Sequence, residues 1–487
     1  MSRYLKTGTV LLIVLVAVFA WNTFTLPLPT PVFVSAAMPP IDENAAAQRL
    51  AGAVRIPTVS YEDRSLIDPA QLDAFATYLQ QTFPRVTASL TREVVNGHSL
   101  LYTWPGSDPS AQPILLLAHM DVVPVEPGSE PQWTHAPFSG DIADGYVWGR
   151  GTLDDKDSLM AWMESAEHLL AEGFKPRRTI YFAFGDDEEI GGAEGAKQIA
   201  ALLRSRGVVA EFSLDEGGAI TEGIIQGAKR PVATIMSAEK GYLSLRLTAH
   251  APGGHSSMPS PETAIGRLAR AVAHLQNRPM PAHMVRPVKD MLDRLAPDMP
   301  LLDRIILANR WLLRPLILAE MTRTPASNAL VRTTSAPTIL RAGMKDNVLP
   351  TQAYAVVNFR LLPHDTIADV ERHVRLAMAD DGIAITQEGD FAAEASPVSD
   401  THSAAFSVIA QTVHDIFPQA LVTTGIVTGA TDTRNYAGLF VNRYNFSPSV
   451  FGPQDLARVH GANERIGVAD YANMIRFGMR LLHNAAG

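Results

Sequence analysis

The spacing of apolar and polar residues along the chain changes character several times. At the start, Arg3 and Lys6 precede an apolar run from Val10 to Trp21 that can be extended from Gly8 to Leu26. A basic segment before an apolar core is the pattern of an export signal, and the extended run approaches the roughly 20 residues that cross a bilayer. Ser35, Ala36 and Ala37 offer small residues for cleavage, and the Pro-rich stretch 26–40 reads as a spacer. Residues 1–40 are therefore expected to be an anchor or a signal peptide. The body would lie outside the cytoplasm, membrane-anchored through this helix or periplasmic or secreted if it is cleaved.

From 41 to 238 short apolar runs rich in β-type residues, 114–118 (ILLLA) and 179–184 (TIYFAF), flank a helical stripe of Leu159, Met163, Ala166 and Leu170. Continuous apolar strands separated by an amphipathic helix predict a mostly parallel sheet covered on both faces. Near Glu239 the period becomes two. Leu243, Leu245, Leu247 and Ala249 alternate with polar residues, and Ala353, Ala355, Val357, Phe359 and Leu361 repeat the pattern. A helix opening at Ser260-Pro261 lies between them, with Ile265, Leu268, Val272 and Leu275 on one face. Thr366 caps another that carries Ile367, Val370, Val374 and Met378, and 383–386 reads as a third strand. The fold class expected is α/β: a mostly parallel-sheet domain, 41–238 and 392–487, interrupted by a small α+β domain, 239–391. A final helix is expected over 470–482.

One stretch does not suit a small domain. Residues 278–334 are long, apolar and helix-prone. They read as extra core packed on the small domain, as an apolar wall for a greasy substrate, or as a membrane-facing surface beside the N-terminal helix.

Composition narrows the chemistry. The chain has 487 residues, 46% of them hydrophobic, and a formal net charge of −9 with no basic stretch to offset it, so nucleic acid is not an expected partner. It has no cysteine, which excludes disulfides, thiol nucleophiles and thiolate metal sites. G-x-S-x-G and H-E-x-x-H are both absent, removing the usual signatures of serine hydrolases and single-zinc proteases.

Histidines and carboxylates instead gather at predicted strand ends, where open α/β sheets bind ligands. His119 and Asp121 follow ILLLA at strand spacing and point to one side, the imidazole as a metal ligand and the acid as its orienter. Asp154 follows the turn-forming Gly149 and Gly151 and is the candidate carboxylate shared by two ions. Asp155 beside it reads as a helix cap, and Lys156 as the partner of a nearby acid. Asp186, Asp187, Glu188 and Glu189 stop at the end of the strand 179–184. One acid there can hold a metal while its neighbour takes a proton from water. Asp215 and Glu216 offer one more oxygen ligand, and His460 in VHGANER completes the donors.

The set AHMDVVPV, PFSGDIADGYVWGRGTLDDKD, GDDEEIGG, DEGG, GGHSSMP, RTTSAPTI, KDNVLP and ATDTRNY, in that order, resembles the M20 metallopeptidase family. The nearest branch is that of vacuolar carboxypeptidase S and the hydrolases of N-fatty-acyl amino acids. The resemblance implies a two-zinc catalytic domain under a lid, with Co²⁺ or Mn²⁺ as substitute metals. It implies that His119, Asp154, Glu189, His460 and one of Asp215 and Glu216 bind metal, Asp154 bridging. It makes Asp121 the supporting acid, Glu188 the general base, and His255 an oxyanion-stabilising group that often reaches a neighbouring subunit. Asn347 and Arg434 fall at substrate-binding positions, and a homodimer through the lid is expected. The chain departs from the family at Asp157, where glycine is usual.

The function expected is hydrolysis of an amide bond next to a free carboxylate, in short peptides or N-acyl amino acids. The alternatives are a small-substrate aminoacylase or desuccinylase, and a non-catalytic, metal-bound binding protein at the membrane.

Overall fold

A computed structural model describes residues 2–27, 39–389 and 391–487. The expected cleavage residues Ser35 to Ala37, and most of the Pro-rich spacer, lie outside the described residues.

The apolar run 114–118 becomes the strand Ile114–His119, and its side chains divide between two cores. Ile114, Leu116 and Ala118 join the cluster under the helices Glu43–Val54, Lys156–Ala171, Ala404–Ile416 and Val468–Ala486. Leu115 and Leu117 join the opposite cluster beneath the helix Ala196–Ser205. A strand buried on both faces needs apolar residues at every position, which explains the absence of alternation. Each fully buried Leu or Phe here, such as Leu116 or Phe182, contributes about 1.5–3 kcal/mol over its exposed state.

This strand is central in a ten-stranded sheet. Ile180–Gly185, Ile114–His119, Ala210–Asp215 and Phe440–Asn445 run parallel and adjacent, with His119 level with Gly185 and Asp215 level with Asn445. Antiparallel pairs add the hairpin Thr91–Val95/Ser99–Trp104 at one edge and Val232–Glu239 at the other, where Leu421–Val427 pairs parallel to it. Four parallel strands thus deliver their carboxyl ends to one rim.

A second, fully antiparallel sheet has the order Thr334–Ala342, Gln352–Leu361, Gly241–His250, Ile383–Gln387. Its alternating apolar residues Leu243, Leu245, Leu247, Val357 and Phe359 pack under the helices Ala264–Asn277 and Ile367–Met378. The opposite face is polar: Arg246 stacks over Tyr354 at 4.3 Å and pairs with Glu388 at 2.5 Å.

Three details differ from the sequence pattern. The first helix of the small sheet starts at Ala264 with Thr263, not Ser260, as its cap, the Thr263 hydroxyl accepting the Gly266 amide at 3.1 Å. A fourth strand, Thr334–Ala342, lies at an exposed edge where few side chains are buried, so its sequence carries no apolar alternation. Of the apolar insert, Met280 joins the core of the small sheet, whereas its helices pack elsewhere. Its helix Arg286–Leu295 covers the outer strands of the large sheet, with Val288 and Leu292 in a cluster with Ile426, and Leu295 against Val232 and Leu421. The apolar stripe of the insert thus helps to keep those strands dry.

The N-terminal helix Ser2–Phe24 is mostly exposed, and the span Lys6–Phe24 is long and apolar enough to cross a membrane.

Candidate metal centre

The rim built by the parallel strands carries His119 as the last residue of its strand, buried to 1% exposure. Its Nε2 faces Asp154 Oδ1 at 3.0 Å and Glu216 Oε1 at 3.5 Å. The other oxygen of Asp154 faces His460 Nε2 at 2.9 Å, and His460 also lies 3.4 Å from Glu189 Oε2. Two groups of ligand-type atoms result, His119/Asp154/Glu216 and Asp154/Glu189/His460, each with its atoms within 4.8 Å of one another. Asp154 belongs to both.

The pair Asp215 and Glu216 is divided by this arrangement. Glu216 joins the first group, whereas Asp215 turns away and accepts the Thr433 amide at 2.9 Å, the Thr433 hydroxyl at 2.5 Å and the Glu216 amide at 3.0 Å. The four consecutive acids divide as well. Asp186 accepts from the Ser99 hydroxyl, and Asp187 from Arg64 at 2.8 Å and the Glu194 and Gly195 amides at 2.9 and 2.8 Å. Glu188 and Glu189, on the following short 3-10 turn, line the cleft. Gly192 completes that turn at φ +69°, where a Cβ would stand 2.4 Å from the Asp432 carboxylate.

Asp121 supports the centre from behind. Its backbone carbonyl lies 2.9 Å from His119 Nδ1, closer than its carboxylate at 3.4 Å, so the main chain is the nearer partner of that nitrogen. The carboxylate accepts from the Ser60 hydroxyl and from the amides of Glu188 and Glu189 at 3.1 and 3.2 Å. Asp121 therefore ties the His119 strand to the turn that carries the two glutamates.

Two expectations near Asp154 change. Asp155 makes no side-chain cap; its carboxylate accepts the His119 amide at 3.3 Å. Lys156 is fully buried, and its hydrogen bonds go to the carbonyls of Ala53 and Ile56 at 3.1 and 2.6 Å rather than to an acid. Burial lowers its pKa to about 7.

A clasp that the sequence pattern did not single out holds the two metal-type groups together. Glu464 accepts the Gly151 and Leu153 amides, both at 2.9 Å, and pairs with buried Arg150, which donates to the His460 carbonyl at 3.0 Å. The loop bearing Asp154 is thereby fixed to the loop bearing His460. The only hint in the sequence is the acid four residues after His460.

The electrostatics of the rim call for cations. Burial, with like charge from Asp154, pushes the Glu216 carboxyl up to about 8, and burial holds Glu188 well above the carboxylate range. Asp154 moves the other way despite burial, because His119 and His460 bond to its charged form. His460 rises to about 10 through Asp154 and Glu189. Glu189 Oε1 is buried with no hydrogen-bond partner. Four carboxylates against two imidazoles, with an unpartnered buried oxygen, fit divalent ions held by oxygen and imidazole donors.

The cleft at this rim encloses about 840 Å³. Besides the acids, Arg434, Arg360, Tyr242, Phe391 and Val427 line it, so the small sheet supplies part of the wall. Arg434 stacks over the Phe391 ring at 5.1 Å, and its Nε is buried without an acceptor. No residue of 278–334 is among those that line the cleft. His255 and Asn347 are also absent from it. Both are exposed, His255 on the two-stranded pair Gly254–His255/Val348–Leu349 and Asn347 just before it, where the Asn347 carbonyl accepts the Ser256 amide at 3.1 Å.

Comparison with known proteins follows the same lines. Residues 115–484 match the model of peptidase family M20/M25/M40. The chain is 40% identical to the N-fatty-acyl-amino acid synthase/hydrolase PM20D1 of Xenopus tropicalis, over 99% of this chain and 96% of that protein. It is 33% identical to carboxypeptidase S of Saccharomyces cerevisiae, over 90% of this chain and 84% of that one. In fold it resembles the M20 family metallo-carboxypeptidase Sso-CP2 of Sulfolobus solfataricus, with a TM-score of 0.66 at 18% identity, covering 91% of this chain and 99% of that one.

Proposed function

The chain belongs to peptidase family M20/M25/M40, and on that premise we propose that it hydrolyses the amide bond of N-acyl amino acids or short peptides beside a free carboxylate. It is a hydrolytic enzyme of a metallopeptidase family. The observation that carries the finer reading is Asp154, whose two oxygens face His119 at 3.0 Å and His460 at 2.9 Å with Glu188 in the same cleft. His119, Asp154 and Glu216 would hold one zinc ion, and Asp154, Glu189 and His460 the other, with Asp215 outside the ligand set. Co²⁺ or Mn²⁺ would suit the same donors. Zinc, when bound, polarises the scissile carbonyl and brings the acidity of water near neutral pH.

The remaining steps belong to side chains. Glu188 takes a proton from the attacking water as oxygen bonds to the carbonyl carbon, then delivers it to the leaving nitrogen as the C–N bond breaks, and the carboxylic acid formed passes its remaining proton to the amine, yielding a carboxylate and an ammonium group. Asp121 keeps Glu188 and His119 in register through hydrogen bonds to both segments. Arg434 grips the substrate carboxylate in a fork, and the wall of Tyr242, Phe391 and Val427 receives apolar substrate atoms. His255 and Asn347 act on the cleft of a second copy, which supports a homodimer through the small domain. In this reading 41–238 and 392–487 form the catalytic domain and 239–391 the lid, with the insert attached to the catalytic side. The N-terminal helix exports the body and anchors it.

Zinc-loaded protein with Glu188→Gln tests the mechanism. The expected result is an unchanged metal content by mass spectrometry with loss of hydrolysis of a long-chain N-acyl amino acid. Turnover at the parent rate would overturn the role of Glu188. Comparison of long-chain, acetyl and dipeptide substrates on the parent enzyme separates this reading from a small-substrate aminoacylase.

A further inference from the structure

The insert carries a surface that neither the cleft nor the core uses. Leu301, Leu302, Trp311, Leu312 and Leu316, on the helices Leu301–Ala308 and Arg310–Met321, are each between 47% and 69% exposed. Single exposed leucines need no explanation, but four leucines and a tryptophan exposed on two consecutive helices concentrate apolar surface on this insert.

The N-terminal helix docks beside this surface. Among the described side chains of residues 6–27, Leu15, Phe19, Asn22, Thr23 and Leu26 are covered and the rest exposed, and the spacing of the five is one stripe of a helix. The contact is specific. Asn22 Nδ2 donates to Asn309 Oδ1 at 3.0 Å, Asn309 Nδ2 lies 3.4 Å from the Thr23 hydroxyl and the Phe19 carbonyl, and Phe19 meets Trp311 edge-on at 6.5 Å. Asn309 is 0% and Thr23 1% exposed. The Asn309 amide nitrogen also donates to the Ile305 carbonyl of the preceding helix at 2.9 Å, and its oxygen accepts from Asn22, so the N-terminal helix supplies part of what satisfies this buried amide and is tied to the insert through it.

Beyond this stripe the helix leaves the body, with Val10 to Val14 all more than half exposed. The 19 residues Lys6–Phe24 measure about 28 Å at 1.5 Å per residue, close to the hydrocarbon thickness of a bilayer. If they span it, the turns docked on the insert bring Leu302, Trp311 and Leu316 to the boundary between acyl chains and headgroups. Trp311 has the ring type favoured at that depth, and exposed Arg314 can carry its charge outward to phosphates.

We infer that the insert is a membrane-seated platform. Leu301, Leu302, Trp311, Leu312 and Leu316 enter the lipid boundary beside the N-terminal helix, so that the catalytic body rests on the bilayer at a fixed orientation. The inference rests on the anchoring role proposed for that helix and adds to it a second, independent contact with lipid.

Because the chain has no cysteine, single substitutions report single sites. Leu302→Cys and Leu316→Cys test the platform, Val14→Cys marks the span, and Val441→Cys, 62% exposed on the body, is the aqueous control. Each full-length variant, labelled with an environment-sensitive fluorophore, is reconstituted in phosphatidylethanolamine/phosphatidylglycerol vesicles with nitroxides at shallow or deep positions of the acyl chain. The expected result is a blue-shifted emission quenched by shallow nitroxide at 302 and 316, quenching by deep nitroxide at 14, and none at 441. Quenching at 14 alone overturns the platform and leaves the anchor standing. No quenching at 14, 302 or 316 overturns both. Shielding of 302 and 316 from nitroxide and aqueous iodide alike identifies a protein contact, such as a second copy, and also overturns the platform. Hydrolysis of a soluble substrate by every labelled variant verifies the fold.

Discussion

Replacing Arg434 by lysine isolates the recognition of the substrate carboxylate. In the structure the guanidinium sits over the Phe391 ring at 5.1 Å, and its Nε is buried without an acceptor. The desolvation of that donor is already borne by the folded protein, so a carboxylate that reaches it gains most of a charge-assisted hydrogen bond, about 1.5–3 kcal/mol. Lysine keeps the charge but loses the planar fork and the stacking surface. Losing one such bond corresponds to a fall of about 10- to 150-fold in kcat/KM, at 1.36 kcal/mol per tenfold. The bond forms in the ground state as well as in the transition state, so the loss should appear mainly in KM. The assay compares Arg434→Lys with the parent on an N-acyl amino acid and on the same compound with its carboxylate converted to an amide. The parent should discriminate strongly between the two, and the variant should lose most of that discrimination. An equal fall on both substrates, or none on the acid, would refute the assignment of Arg434 to the carboxylate.

Three further outcomes follow from the geometry. Glu216→Ala should lower the zinc content from two ions toward one per chain, whereas Asp215→Asn should retain two; the opposite result, read by elemental mass spectrometry, would exchange their roles. Asp157 is fully buried and pushed up to about 8, first by burial, so its protonated form is the one that suits the fold, and its stabilising contribution is lost as pH rises from the unfolded value toward 8. Asp157→Asn, which can still accept from the Ser158 amide and reach Ser449, should therefore melt above the parent at pH 8, with a gap that closes toward pH 4. In the metal-free protein Glu216 at about 8, in one ion's ligand group, and His460 at about 10, in the other's, must each release a proton to ligate, so the affinity for each ion in a chelator competition should rise by at least about one logarithmic unit per pH unit between pH 6 and 7. An affinity independent of pH would show that these groups are not ligands.

Much of the site was legible because strand geometry converts sequence into direction. ILLLA could only be a strand buried on both faces, and the residues after it had to emerge at the sheet rim, which is where His119 and Asp121 lie. The same reasoning located Glu188 and Glu189, and the ordered motifs named their family. The choice between Asp215 and Glu216 was not legible. It depends on Thr433, distant in sequence, whose amide and hydroxyl capture Asp215 and leave Glu216 to face His119. The packing of the insert was not legible for a related reason: an apolar stripe announces that it will be buried but not against what.

The sequence by itself determined the elements, the donor types and the family, because those follow from local periodicity, from the lack of cysteine and from motifs a few residues long. Only the tertiary structure decided which donors share an ion-sized space. It brought Asp154 between His119 and His460, fastened their loops through Arg150 and Glu464, and set the N-terminal helix against Asn309. Each of these contacts joins segments far apart in the chain. Their geometry is fixed by the packing of the whole sheet and its helices, a property that no window of the sequence contains.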